Sequence, residues 1–145
     1  MRQNEKDLLL KDICARLPYG VKVRYSSYEK FITCTLQAID YVYNNVDLWS
    51  KDACFNPVNI SKIKPYLFPL SSMTEEQWMD TPYANLNKYT FDSFKCGCST
   101  LAFETYEVNL SYVVEFINWC YKNHFDIYGL IPMGLAIDAT GLNIY

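Results

Sequence analysis

The chain carries a single histidine, His124, so any Ser/His/Asp or Cys/His mechanism must run through it. Asp126 is close by in sequence, and Cys120 stands one helical turn earlier. His124 and Lys122 also fall where a helix ends, and a cation or a capping donor is favourable at that negative pole. Helix-end chemistry therefore accounts for this histidine without catalysis. A second constellation joins Cys96-Gly-Cys98 to Cys120 and His124. Three thiolates and one imidazole form a legitimate tetrahedral zinc set, and the four-residue step from Cys120 to His124 puts both on one side of a helix. The Cys-x-Cys spacing is tighter than the usual two-to-four-residue gap, so the competing reading is one buried thiol, one capping imidazole and two loop thiols. Gly129 and Gly134 have the spacing that opens a phosphate loop, but Leu135-Ala136 stands where Lys and Ser/Thr are required. Glu75 and Glu76 are adjacent carboxylates, and a helix start explains them. No catalytic residue and no cofactor follow from these patterns.

Basic and aromatic residues make the third constellation. Lys22 and Arg24 straddle Val23 in an alternating run, which places them on one face of a strand. Tyr25 follows, and Lys62 and Lys64 come later, with Tyr28 and Trp49 in the same half of the chain. Cations interleaved with aromatic rings can track a phosphate backbone while stacking bases. An ordinary solvated sheet face has the same composition, and no established nucleic-acid motif accompanies it.

The elements that must position these residues follow from composition and pattern. The chain has 145 residues, of which 50% are hydrophobic and 20% charged, with thirteen Tyr but only five Gly. That composition fits one globular domain over 1–145, sheet-rich across 1–70 and helical across 71–145. No apolar run approaches the ~20 residues of a membrane span, and the charged N-terminus does not open a signal peptide. The expected location is cytoplasmic, with reduced cysteines. Net charge is −3 overall but uneven: residues 1–66 carry +3 and residues 67–145 carry −6.

Residues 4–17 read as a helix with Asn4 as N-cap and Leu9, Leu10, Ile13, Cys14 and Leu17 as its apolar face. Val21 to Tyr25 and Phe31 to Ile39 pair as a hairpin, with Tyr41-Val-Tyr43 continuing the sheet. Val46 to Trp49 is a third strand, and Val58 to Ile63 a fourth strand or a helical turn. Lys64 to Pro69 is an extended connector, because two prolines disfavour helix before them. Thr74-Glu-Glu-Gln77 is a capping box, with Met73 and Trp78 at the hydrophobic-staple positions. A short strand at 89–91 and another at 101–106 complete the pattern. The expected fold is α+β: a small twisted antiparallel sheet or SH3-like barrel over about 19–67, packed with the N-terminal helix and a long apolar C-terminal helix.

That last helix, Leu110 to Asn123, carries two apolar stripes. Tyr112, Phe116 and Trp119 form the second, leaving only a narrow polar line. The expectation is a helix covered on most of its circumference, by the domain itself or by a partner through Tyr112, Phe116 and Trp119.

Three stretches resemble a family of small proteins encoded by gut Bacteroidetes and their phages or prophages. They are Leu10 to Lys22, Ile63 to Gln77, and Trp119 to Ile137, about a third of the chain. The resemblance implies a shared fold and no activity. The expected role is a non-enzymatic accessory protein of a bacterium or its mobile elements, acting by protein interaction or self-association. Nucleic-acid binding through the N-terminal sheet and a zinc-stabilised module are the alternatives.

Overall fold

The computed structural model describes residues 1–28, 30–84, 91 and 110–145. The protein is α+β. An N-terminal helix, α1 (Gln3–Arg16), leads through a 3-10 turn, Leu17–Tyr19, into the sheet. The strands are β1 (Lys22–Ser26), β2 (Phe31–Asp40), β3 (Asn45–Trp49), β4 (Cys54–Asn59) and β5 (Ile63–Pro69), with a 3-10 turn at Ile60–Lys62 between β4 and β5. Then come α2 (Glu75–Met79), α3 (Leu110–Lys122) and two short strands, β6 (Phe125–Asp126) and β7 (Ile137–Asp138). The strand order is β4-β3-β2-β1-β5-β6, with β7 also pairing β5. The five long strands pair antiparallel, but β6 and β7 join β5 in parallel, so the sheet is mixed and extends beyond residue 67.

Helix α1 begins two residues earlier than Asn4 would allow. Arg2 is its N-cap, and the Arg2 backbone N–H donates to Glu5 at 2.7 Å while Arg2 Nε donates to the other Glu5 oxygen at 2.8 Å. Leu9, Leu10 and Ile13 are buried as the periodicity predicts, whereas Cys14 is exposed. These side chains close a core with Val21, Val23, Cys34, Leu36, Val46, Leu48, Val58, Ile60, Ile63 and Leu67. Removing that much apolar surface from water is the main stabilising force of the sheet half.

Two segments depart from the sequence reading. Tyr41-Val42-Tyr43 does not extend the sheet. It is the tip of the β2–β3 hairpin, where the Asp40 carboxylate accepts from the Val42 and Tyr43 N–H groups at 3.1 and 3.2 Å, and Asn44 turns the chain at a positive φ. Asp and Asn make such local bonds readily, which ends the ladder. Lys64 to Pro69 is not a connector but most of β5, paired with β1 through Ile63, Lys64 and Pro65. The prolines are tolerated because that ladder is only three residues long and each later pairing is shorter still.

A second core lies in the C-terminal half: Met73, Trp78, Tyr83, Phe116, Cys120 and Phe125, with Phe68, Tyr112 and Trp119 packed against it. The capping box that introduces α2 forms as its sequence requires. Gln77 N–H donates to Thr74 Oγ1 at 3.2 Å, and Thr74 N–H donates to Gln77 Oε1 at 2.9 Å. Met73 and Trp78 are both buried at the staple positions. Thr74→Ala removes one of these two bonds and is expected to cost about 1 kcal/mol in urea denaturation.

Helix α3 is one-sided rather than apolar all round. Phe116, Cys120 and Tyr121 are buried, but Val114 is 49% exposed alongside Ser111, Glu115, Asn118 and Lys122. Thirteen residues with a solvated face is an ordinary amphipathic helix. No described helix is long and apolar enough to cross a membrane. The strands expected at 89–91 and 101–106 fall wholly or almost wholly outside the described residues.

Candidate nucleic-acid interface

The side of the sheet turned away from the Val23–Leu36 core is built row by row from strand register. Directly opposed residues of an antiparallel pair share a face. Lys64 therefore sits beside Arg24, and Arg24 beside Thr33. One row along, Lys22 sits beside Thr35, Thr35 beside Trp49, and Trp49 beside Cys54. At the hairpin end, Ser26 pairs with Phe31. Tyr66 reaches the same face, since its hydroxyl lies 3.4 Å from Thr33 Oγ1.

Three cations, on β1 and β5, and three aromatic rings, on β2, β3 and β5, thus share one surface. Phe31 is 67% exposed and Trp49 48%, while Tyr66 is buried at the margin. The Arg24 guanidinium lies 4.5 Å from the centre of the Phe31 ring, and Lys22 Nζ donates to Thr35 Oγ1 at 2.7 Å. At the rim, Lys62 on the 3-10 turn approaches the exposed Tyr28 ring at 5.2 Å. Among the described residues the ion pairs are Arg2–Glu5 and Asp12–Arg16, and Lys22, Arg24, Lys62 and Lys64 take part in neither. Asp47 shares this face two residues before Trp49 and sets its acidic border.

Tyr25 does not join the group. It points to the core side, where its ring meets Phe55 at 5.0 Å, because alternation places it opposite Arg24. Phe31 was the residue missed in the sequence. It reads as one more apolar residue of a core strand, and only the Ser26–Phe31 register reveals that it faces outward. The same alternation, counted from Cys34 and Leu36 as core residues, was the available signal.

The other candidates fare differently. Phe116 is enclosed within the second core, edge-on to Tyr83 at 5.1 Å and parallel to Trp119 at 6.5 Å, and Trp119 stacks on Phe125 at 5.6 Å. Phe116 therefore presents no surface, and Tyr112 and Trp119 are half-buried against the same cluster. Cys120 is fully buried, and burial pushes its thiol up to about 12, far from the thiolate that a metal requires. Cys96 and Cys98 lie outside the described residues. Among the described residues no three His, Cys, Asp or Glu side chains form a group that could hold a metal ion.

His124 is at a positive φ and 8% exposed, with its ring stacked on Tyr145 at 3.9 Å between centres. Its Nδ1 finds no hydrogen-bond partner among the described residues. Desolvation, aided by the nearby Arg16 charge, pushes it down to about 4, so the ring is neutral at pH 7. Tyr145 is 44% exposed as a residue, and its hydroxyl donates to Tyr66 O at 2.7 Å and accepts from Lys22 N–H at 3.2 Å. Burial pushes that phenol up to about 12. No family model, no curated protein and no solved structure matches the chain.

Proposed function

We propose that the protein is a non-catalytic binding module whose outward sheet face engages nucleic acid. The observation that carries this reading is the register that sets Lys22, Arg24 and Lys64 side by side with Phe31 and Trp49, all three cations free of ion pairs among the described residues. A cationic row supplies affinity for phosphates, and the rings supply stacking surface for bases. An SH3-like barrel is the architecture we assign to the sheet. Its support is the β1–β4 meander, the 3-10 turn leading to β5, the return of β5 onto β1, and the bond from Ile60 N–H to Asn44 O at 3.0 Å. A cytoplasmic setting, in a bacterium or its mobile elements, fits a protein that meets nucleic acid.

The test is fluorescence anisotropy with a labelled oligonucleotide over a salt series. Lys22→Ala, Arg24→Ala and Lys64→Ala should each weaken binding and each reduce the log–log salt slope by about 0.7. A slope unchanged in all three variants removes this face from the interface.

A second reading keeps the expected association with a protein partner or another copy of the chain, now through the β2–β3 tip. Tyr41, Val42 and Tyr43 are 67%, 78% and 72% exposed on a turn already ordered by Asp40, so docking them costs little further entropy. Native mass spectrometry giving multiples of 17.0 kDa supports it. A lone chain at micromolar concentration counts against self-association.

A further inference from the structure

The spacing of rings and cations on the outward face bears on which form of nucleic acid would fit it. Phe31 and Thr35 are four residues apart on β2, about 13 Å along the strand. Trp49 sits beside Thr35 on β3, about 5 Å across. The two exposed rings are therefore roughly 14 Å apart, with Arg24 and Lys22 on the neighbouring strand β1 and Lys64 beyond Arg24 on β5. At the ~3.4 Å axial step of stacked nucleotides that gap is about four steps, so a strand with a base on each ring covers about five nucleotides. In a duplex the base faces are already occupied by their neighbours, and the outside offers sugar, phosphate and base edges in the grooves but no free face. Phe31 and Trp49 would then be covered by charged groups and gain little, whereas unpaired bases present a free π-face to each ring.

We infer that the ligand of this face is a single strand, held over about five nucleotides with one base on Phe31, one on Trp49, and the phosphates between them on the row of Lys22, Arg24 and Lys64. This rests on the nucleic-acid reading above. Arg24, now over the Phe31 ring, is the contact that must shift, since the base and the guanidinium compete for the same ring face.

The experiment uses the full chain, fluorescein-labelled oligothymidylates of two to ten nucleotides, a twelve-base-pair duplex, and polyglutamate as competitor. The expected result is affinity that climbs with length to about five nucleotides and then flattens, with the duplex bound at least tenfold more weakly. Phe31→Leu and Trp49→Leu, both at exposed positions, should each weaken the single strand between about fivefold and a hundredfold while leaving the salt slope unchanged. Circular dichroism of each variant confirms that it is folded. A duplex bound as tightly as the single strand, or two ring variants that bind like the parent, overturns the single-strand inference. The nucleic-acid reading survives that outcome if the lysine and arginine variants still lower the salt slope. Binding of neither oligonucleotide at 50 mM salt overturns both. So does polyglutamate that displaces the strand at equal charge concentration, because the face then takes acidic protein.

Discussion

Asp12→Ala should destabilise the protein by about 3–5 kcal/mol, enough to remove a large share of a domain's net stability. Asp12 and Arg16 are one turn apart on α1 and both completely buried. Arg16 Nε donates to Asp12 Oδ2 at 2.8 Å, Nη2 donates to Asp12 Oδ1 at 2.9 Å, and Nη2 also donates to Phe125 O at 2.7 Å. The guanidinium further lies 5.0 Å from the centre of the Tyr121 ring. This one side chain therefore ties α1 to the carbonyl at β6 and to α3. Burial pushes the Asp12 carboxyl above its ordinary value, and the Arg16 bonds pull it the other way. Truncating Asp12 strands a cation with one carbonyl and a ring for company, and Nη1 already has no acceptor among the described residues. Replacing both partners, Asp12→Leu with Arg16→Met, should recover a substantial part of the loss, because no charge is then left in the core. Urea denaturation of the parent, the single variant and the double variant measures this directly. A single variant within 1 kcal/mol of the parent contradicts the account.

That ion pair also marks where the sequence stopped being legible. The apolar face of α1 was readable from Leu9, Leu10 and Ile13, since a 3.6-residue period needs no tertiary knowledge. Asp12 and Arg16 at i and i+4 look like any solvated helix pair. The partners Arg16 meets in the core, Phe125 O and the Tyr121 ring, lie over a hundred residues away, so no local pattern could reveal them. The capping box at Thr74 was readable for the opposite reason: both bonds are made within four residues. Pro65 and Pro69 indicate extended backbone and no more, and the pairing that makes the segment β5 rather than a connector is long-range. Of the outward face, Lys22 and Arg24 came from alternation alone. Lys64 joined them only through the β1–β5 register, and Tyr25 was misplaced because type and proximity were read without counting which side of the strand it occupies. The helix expected to be covered on most of its circumference has a wider solvated face that includes Val114, since hydrophobicity of a residue does not require its burial.

Acid should weaken the fold through His124. The direction follows from which state holds more protons. In the folded chain the ring is pushed down to about 4, while in the unfolded chain it titrates near its ordinary value of 6.5. Between those two values the unfolded chain binds the extra proton, so stability declines as pH falls below about 6.5 and the decline levels off below about 4. Above the upper value the contribution is fully present. The expected size is about 2 kcal/mol, allowing for the part of the ring that solvent screens. The physical cause is local: burial denies the protonated ring its solvation, and the Arg16 charge nearby repels it. His124 also holds a positive φ of 61°, and its carbonyl accepts from Phe68 N–H at 2.9 Å, which ties α3 to β5. Asparagine tolerates that backbone region, so His124→Asn keeps the turn while removing the titration. Urea midpoints taken at intervals from pH 7.5 to 4 should fall more steeply in the parent than in His124→Asn, with the two curves separating between pH 6.5 and 4. Parallel curves over that range would place the acid sensitivity on the carboxylates instead.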